Sequence, residues 1–215
     1  MFRRLFGKKK LTEDEEEKLE DDWYESKSQL MESVLGKEHD MVMHALISYE
    51  VGGALDLYYY PNDIDGTGIA TKELAYAVRD SSTNDKYNKY ELVMFTREPL
   101  DLDQAHDDQT AFGRAHQNIS SILNPIARYI EQATLNPLET CEFPADMEKI
   151  GGKCLIFNAY KSSSHEVEDF GLLVVIEIHR SEMEFAMQNG GQMLIDLLQE
   201  NRHYPYSDMN REPVA

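Results

Sequence analysis

The length, composition and charge of the chain exclude several classes of protein. It has 215 residues, of which 40 are Asp or Glu and 21 are Lys or Arg, so its formal net charge is -19. Such a charge repels phosphate backbones and anionic lipids, and we expect neither nucleic-acid binding nor membrane contact. A hydrophobic fraction of 41% supplies enough apolar surface for a folded core. No apolar run approaches the roughly 18 residues that span a bilayer.

The cysteines and the N-terminus predict a reducing compartment. Cys141 and Cys154 match no spacing that is typical of zinc or redox sites. The first ten residues lack the apolar segment of a secretory signal. We therefore expect a cytoplasmic protein that uses no metal and no other cofactor.

The beginning of the chain differs in charge from the rest. Five Arg or Lys side chains fall within the first ten residues, and a strongly acidic stretch follows them. We predict a basic, disordered leader over residues 1–12 and a single domain over residues 13–215. Apolar residues alternate with the basic ones in this leader, which leaves a membrane-recruited adaptor as a further hypothesis.

The acidic stretch has the signature of a helix. Thr12 and Glu15 form a capping-box pattern, the acidic first turn suits the helix dipole, and Gly36 provides a stop. These signals predict a helix over residues 13–35. Its apolar stripe is expected to pack on the core through Leu19, Trp23, Leu30 and Val34.

The pattern then changes to that of β-strands. Apolar and polar residues alternate over residues 55–60 before Pro61 turns the chain. Further strands are predicted over 69–78 and 90–96. Short connections between three consecutive strands favour antiparallel pairing.

The second half of the chain mixes helices and strands. Helical periodicity begins at residue 107 and meets Pro125, which predicts either two abutting helices or one kinked helix. Strands are expected over 153–160 and 171–179. The latter is apolar on both faces, as in a central strand that is covered on both sides. A last helix is predicted to begin at Ser181.

No catalytic motif is present, but two polar clusters leave an enzymatic alternative open. The chain contains neither a Gly-x-Ser-x-Gly nucleophile motif nor a phosphate-binding glycine loop. A hydrolase or metal-dependent enzyme would have to use ligand-type or acid–base side chains from one of two groups. These are His106, Asp107, Asp108 and His116 in the first group, and His39, Asp40 and His44 in the second.

Three consecutive tyrosines offer a possible surface for a protein partner. Tyrosine combines apolar area with a hydroxyl group and is common in interfaces. Because neighbouring strand residues face opposite sides, at most two of the three can share a surface, and we expect Tyr59 to pack in the core. Our candidates for partner binding are therefore Asp56, Tyr58 and Tyr60.

Several short motifs resemble those of the suppressor of fused domain. The C-terminal match begins with a strand over 172–178 and a helix start with a Ser-x-Glu-type pattern over 179–186. It continues with a glycine pair at 190–191, a Leu-Leu helix end over 194–198 and a closing Asp-x-x-Arg-x-x-Val over 208–214. Upstream, residues 55–61 and 90–94 are similar to two strands of that family. The chain departs from the family at Glu73, where a glycine is usual.

The resemblance implies a fold and a class of function. It implies an α+β fold, with a mixed, largely antiparallel sheet flanked by helices, and no catalytic residues. The animal member binds a transcription-factor peptide as an added strand, with the help of a second domain. Single-domain bacterial members are suspected immunity proteins, and an acidic body suits capture of a basic toxin domain. We expect a non-catalytic module with one protein partner.

Overall fold

The computed structural model describes residues 11–160 and 170–215 and has an α+β architecture. Within these ranges the chain forms four α-helices and six strands. In chain order these are α1 (Glu13–Leu35), β1 (Tyr58–Tyr60), β2 (Thr67–Ala70), β3 (Lys89–Thr96), α2 (Ala111–Ile130), β4 (Thr140–Glu142), β5 (Cys154–Ala159), β6 (Phe170–Ile178), α3 (Arg180–Asn189) and α4 (Gly191–Glu200). The predicted fold class is confirmed. None of the described helices is long and apolar enough to cross a membrane.

The six strands form one mixed sheet in the order β1-β2-β3-β6-β5-β4. Only the neighbours β3 and β6 run parallel, and the other described pairs are antiparallel. The three strands of the first half pair antiparallel, as predicted. The apolar strand β6 lies in the middle of the sheet and is buried on both faces, also as predicted.

Each face of the sheet is covered by a different set of helices. Leu173 and Val175 of β6 point to a core that includes the buried face of α2. Their neighbours Leu172 and Val174 point to the opposite core, which includes residues from α1, α3 and α4. The alternation of side chains along one central strand therefore connects both layers of the molecule.

Helix α1 has its predicted bounds, and its predicted stripe is confirmed in part: Val34 is buried, and Trp23 and Leu30 are half-buried. Thr12 caps it and exchanges hydrogen bonds with Glu15, as expected. Leu19, by contrast, is exposed, whereas Lys27 is buried beside the apolar Met31. Lys27 is buried because its ammonium group lies 2.9 Å from the carboxylate of Glu91 on β3. Helical periodicity does not reveal this contact, because Glu91 is 64 residues away in the sequence.

The second predicted strand is shorter than expected, because the chain leaves the sheet after Ala70. Thr71 donates its hydroxyl hydrogen to Glu91, and the backbone N–H groups of Leu74 and Ala75 donate to the same carboxylate. The segment after β2 is thereby wrapped around one buried side chain. Helix α2 continues through Pro125 as one helix, which rules out two abutting helices.

The prediction of one last helix beginning at Ser181 is wrong. Helix α3 begins at Arg180, and the carboxylate of Glu182 accepts a hydrogen bond from the N–H of His179. Gly190, at a φ of 95°, then separates α3 from α4. A side chain at Gly191 would collide with the carbonyl oxygen of Leu138, so this glycine allows a close approach between α4 and the chain before β4.

Candidate protein-binding edges

The partner-binding candidates lie at one edge of the sheet, on or beside β1. The carboxylate of Asp56 is 2.7 Å from the Nδ1 atom of His44 and accepts a hydrogen bond from the N–H of Ala45. Tyr58 and Tyr60 share one face of the strand, and Tyr59 lies in the opposite core, as expected. The structure thus brings the three candidates into the same region.

The two tyrosines are not at the surface, contrary to the sequence-based expectation. Tyr58 is 6% exposed and lies beneath the ammonium group of Lys72, which is 4.7 Å from its ring centre. Tyr60 is 1% exposed and donates its hydroxyl hydrogen to Glu38. Burial raises the pKa of both hydroxyl groups. Helix α1 covers this face, so any role of these side chains in partner binding stays a prediction.

The outer side of β1 is already occupied by the chain itself. The N–H of His39 donates to the carbonyl oxygen of Tyr59 at 2.8 Å. Met43 and Leu57 exchange two backbone hydrogen bonds, each 3.1 Å long. The segment over residues 39–43 therefore protects this edge from pairing with another strand.

The opposite edge, β4, is open within the described residues, none of which pairs with its outer side. The carbonyl oxygen of Glu139 accepts a hydrogen bond from Phe157 on β5, and the N–H of Phe143 donates to Lys153, directly before β5. In an antiparallel ladder, residues that bond to the neighbouring strand alternate with residues that do not. Thr140 and Glu142 therefore direct their N–H and C=O groups away from the sheet. Within the described part of the chain, these outward groups have no backbone partner. The geometry is that of an edge that can accept an added strand.

Acidic side chains surround this open edge. Four exposed carboxylates lie within residues 139–148, a segment that contains no Lys or Arg. One of them, Glu142, pairs with the guanidinium group of Arg180 on α3 at 3.0 Å. The local charge favours an incoming segment that is basic.

Three residues of the first polar cluster of the enzymatic alternative, His106, Asp108 and His116, line a cavity of about 590 Å³, but His116 belongs to the core and the other two to an exposed turn. The ring of His116 is buried, with Nε2 2.9 Å from the hydroxyl of Tyr59 and Nδ1 3.2 Å from the carbonyl oxygen of Ala105. Burial lowers the pKa of this imidazole. Asp107 accepts a hydrogen bond from the N–H of Gln109 in the turn before α2. His116 is thus a core residue with two structural partners.

The second cluster is also divided. His44 pairs with Asp56, whereas the carboxylate of Asp40 lies near Lys37 and the ring of His39 accepts a hydrogen bond from the N–H of Met41. Among residues 11–160 and 170–215, no group of three or more His, Cys, Asp or Glu is placed to hold a metal ion. Neither cluster supports the enzymatic alternative.

Comparison with known families agrees with the fold and the motifs. The family model of the suppressor of fused protein matches residues 69–212, which is more than half of the chain. The chain belongs to the suppressor of fused family. The domain of this family is known as a protein-binding module.

Two solved structures match this chain, and the first of them shares its fold. A chain in the crystal structure of the Sufu–Fu complex is matched with a TM-score of 0.60 and 14% identity, over 91% of this chain and 92% of that chain. The crystal structure of Drosophila Suppressor of Fused is matched with a TM-score of 0.47 and 14% identity, over 72% of this chain and 41% of that chain. No curated protein sequence matches.

One pair of motif residues of the suppressor of fused domain acts together in the fold. The carboxylate of Glu182, in the helix-start motif, forms two hydrogen bonds with the guanidinium group of Arg211, in the closing motif. It also accepts hydrogen bonds from the N–H groups of His179 and Val214. These short motifs are therefore structural, because they tie the C-terminal segment to α3.

Glu73, where this chain departs from the usual glycine of the family, lines a cleft of about 730 Å³. Its carboxylate accepts a hydrogen bond from the N–H of Asp56 at 2.8 Å, which lowers its pKa. Burial outweighs this effect and, with the negative charges of Asp56, Glu91 and Glu50, raises the pKa of Glu73 to about 7. The ionised carboxylate therefore destabilises the fold.

We expect Glu73→Gln to stabilise the protein above neutral pH. The folded-state pKa exceeds the ordinary value of 4.5, so the cost of the charge is present above about pH 7 and is relieved as the pH falls toward 4.5. Urea unfolding at about pH 8 should show a gain of about 1–2 kcal/mol, which vanishes near pH 4.5. The exposed Glu148→Gln is the control and should change stability by less than about 0.5 kcal/mol. An equal gain at both pH values would contradict the assignment.

No pattern in the sequence predicts β4. Its three residues, Thr140–Glu142, are too short for an alternating pattern. A weak signal was available, since a β-branched threonine lies between two prolines, Pro137 and Pro144, that mark the ends of a short extended segment.

Proposed function

We propose that the chain is a non-catalytic protein-binding module that receives an extended, basic segment of one protein partner along β4. The open edge of β4 carries this proposal. Its outward N–H and C=O groups at Thr140 and Glu142 can continue the hydrogen-bond ladder of the sheet, and an added strand satisfies them. The membership of the chain in a family of protein-binding domains supports the same function.

We further propose that the partner is a toxin and that the chain is its immunity protein. The net charge of -19 and the carboxylates around β4 suit a basic domain, as in many nuclease toxins. Complementary charge speeds such a capture, and high salt reduces this acceleration because it screens the charges. The resemblance to single-domain bacterial members, which are suspected immunity proteins, favours the same role.

The experiment begins with affinity capture of the tagged chain from its native cells. Bound proteins are identified by mass spectrometry at low and at moderate salt. One stoichiometric partner is expected, held more tightly at low salt. Expression of that partner alone should arrest growth, and co-expression with this chain should restore it. A partner that is harmless on its own refutes the immunity role, and the absence of any partner refutes protein binding.

A proline substitution tests whether β4 is the contact. Thr140→Pro removes an outward N–H and places a ring on the open edge, while the bonds between β4 and β5 remain. It should weaken partner binding by about tenfold or more, as measured by calorimetry. Thr140→Val keeps the N–H and the side-chain shape, so it should bind like the parent. Equal affinity of the Pro and Val variants, both folded by circular dichroism, would exclude strand addition at this edge.

A further inference from the structure

A loop near the other edge of the sheet exposes aliphatic side chains to solvent. We call residues 46–51 the apolar loop. Leu46 is fully exposed, Ile47 is 61% exposed and Val51 is 76% exposed. Single exposed aliphatic residues are common, but three within one short loop are typical of an interaction site.

The apolar loop is held in place by the body of the protein. Tyr49, at its centre, is buried and donates its hydroxyl hydrogen to the carbonyl oxygen of Ala127 on α2 at 2.8 Å. Arg128 lies over the ring of Tyr49 and donates to the carbonyl oxygens of Tyr49 and Gly53. The loop therefore presents its aliphatic side chains from a fixed backbone.

Close backbone packing closes the loop. The N–H of Ala54 donates to the carbonyl oxygen of Ile47, and the N–H of Gly53 donates to that of Ser48. A Cβ atom at Gly53 would lie 1.8 Å from the carbonyl oxygen of Ile47, so only glycine fits there. A fixed loop loses little conformational entropy when a partner covers it.

The surroundings of the apolar loop are acidic. The adjoining cleft is lined by carboxylates that include Glu50, Glu73 and Glu131. Its two arginines are already engaged, since Arg79 pairs with Glu50 and Arg128 pairs with Glu131. Asp80 is a fourth carboxylate in the lining, so four carboxylates face two arginines and the cleft beside the loop keeps a net negative charge.

We propose that the apolar loop is a docking element that inserts into an aliphatic recess bordered by Lys or Arg on the protein partner. This inference rests on the proposed protein-binding function, but it does not require that β4 is the strand-addition site. Anionic membranes are disfavoured as occupants, because the cleft beside the loop has more carboxylates than arginines and would repel lipid phosphates. A second copy of the chain would bring the same carboxylates together.

Site-specific crosslinking shows what covers the loop. A photoreactive phenylalanine analogue replaces Ile47 in the full chain, and the matched control carries it at Met187, an exposed position on α3. We expect crosslinking from position 47 to the captured partner, to a peptide that contains aliphatic residues beside Lys or Arg. Crosslinking to a second copy or to lipid, or equal crosslinking from position 187, overturns the proposal.

Affinity of loop variants completes the test. The triple variant Leu46→Ser/Ile47→Ser/Val51→Ser should bind the captured partner at least about tenfold more weakly than the parent. The control Met187→Ser/Met193→Ser, which also removes exposed apolar side chains, should bind like the parent. Unchanged affinity of the triple variant overturns the docking role of the loop and leaves the proposed function intact. A parent chain that captures no protein overturns both.

Discussion

Replacing Lys27 by Met should lower the free energy of unfolding by about 3–5 kcal/mol, the cost of leaving a buried charge without its partner. The Lys27 ammonium group lies 2.9 Å from the Glu91 carboxylate, and both side chains are almost fully buried. The same ammonium group also donates hydrogen bonds to the carbonyl oxygens of Lys72 and Ala75. Methionine has a similar length but donates no hydrogen bond, so all three acceptors lose a donor. Urea unfolding at neutral pH measures the loss.

Two further variants test whether the loss of stability comes from the buried ion pair or from the removal of any lysine charge. Lys37→Met removes a lysine whose exposed ammonium group lies 3.8 Å from Asp40, and it should change stability by less than about 0.5 kcal/mol. The double variant Lys27→Met/Glu91→Gln removes both charges and should be more stable than Lys27→Met alone. If the double variant were the less stable of the two, the ion pair would not be the source of the effect.

Arg211→Met should cost about 3–4 kcal/mol, because it leaves the buried carboxylate of Glu182 without its guanidinium partner. The two side chains form two hydrogen bonds, at 2.5 and 2.8 Å, and both are nearly inaccessible to solvent. The variant should also release the C-terminal segment, since Val214 bonds to the same carboxylate. Unfolding by urea and hydrogen exchange at residues 211–215 measure these two effects.

The effect of Arg211→Met should depend on pH. Burial alone would raise the pKa of Glu182, but the hydrogen bonds from Arg211, Val214 and His179 outweigh it and hold the pKa below its usual value. The stabilisation by this carboxylate is thus present above about pH 4.5 and is lost as the pH falls through the lowered folded-state pKa. The difference in the free energy of unfolding between the parent and Arg211→Met should therefore become smaller at acidic pH.

Arg180→Met is the matched control for Arg211→Met. It removes an arginine that also pairs with a glutamate, Glu142, but this pair is exposed to solvent. The loss should therefore be much smaller than that of Arg211→Met, because solvent screens an exposed pair. If the two variants lost the same free energy of unfolding, burial would not be the reason that the Glu182–Arg211 pair stabilises the fold.

The two edges of the sheet differ in what they leave for a partner. The chain segment at His39 and Met43 already bonds to the outer side of β1. Thr140 and Glu142, by contrast, direct backbone groups outward from β4 that have no backbone partner among residues 11–160 and 170–215. The apolar loop lies in the sequence between Met43 and β1. One partner that contacts both regions would combine backbone pairing, which tolerates many sequences, with an aliphatic contact that selects for shape.

Local sequence alone determined the elements with strong local signals. The capping box at Thr12 and the stop at Gly36 placed α1 correctly, because hydrogen bonds within one turn set helix ends. The apolar run in β6 predicted a central strand, because a strand covered on both faces needs no polar side. The motifs at the C-terminus indicated the correct family, and with it the α+β fold.

Only the tertiary structure decided which groups are buried and which edge is free. The burial of Lys27, Tyr58 and Tyr60 depends on partners that are distant in the sequence, such as Glu91 on β3. Strand order determines that β4 is an edge, and a three-residue strand has no periodicity that could predict it. A sequence pattern reports on neighbours within a few residues, whereas burial and strand pairing are set by contacts that form only when the whole sheet assembles.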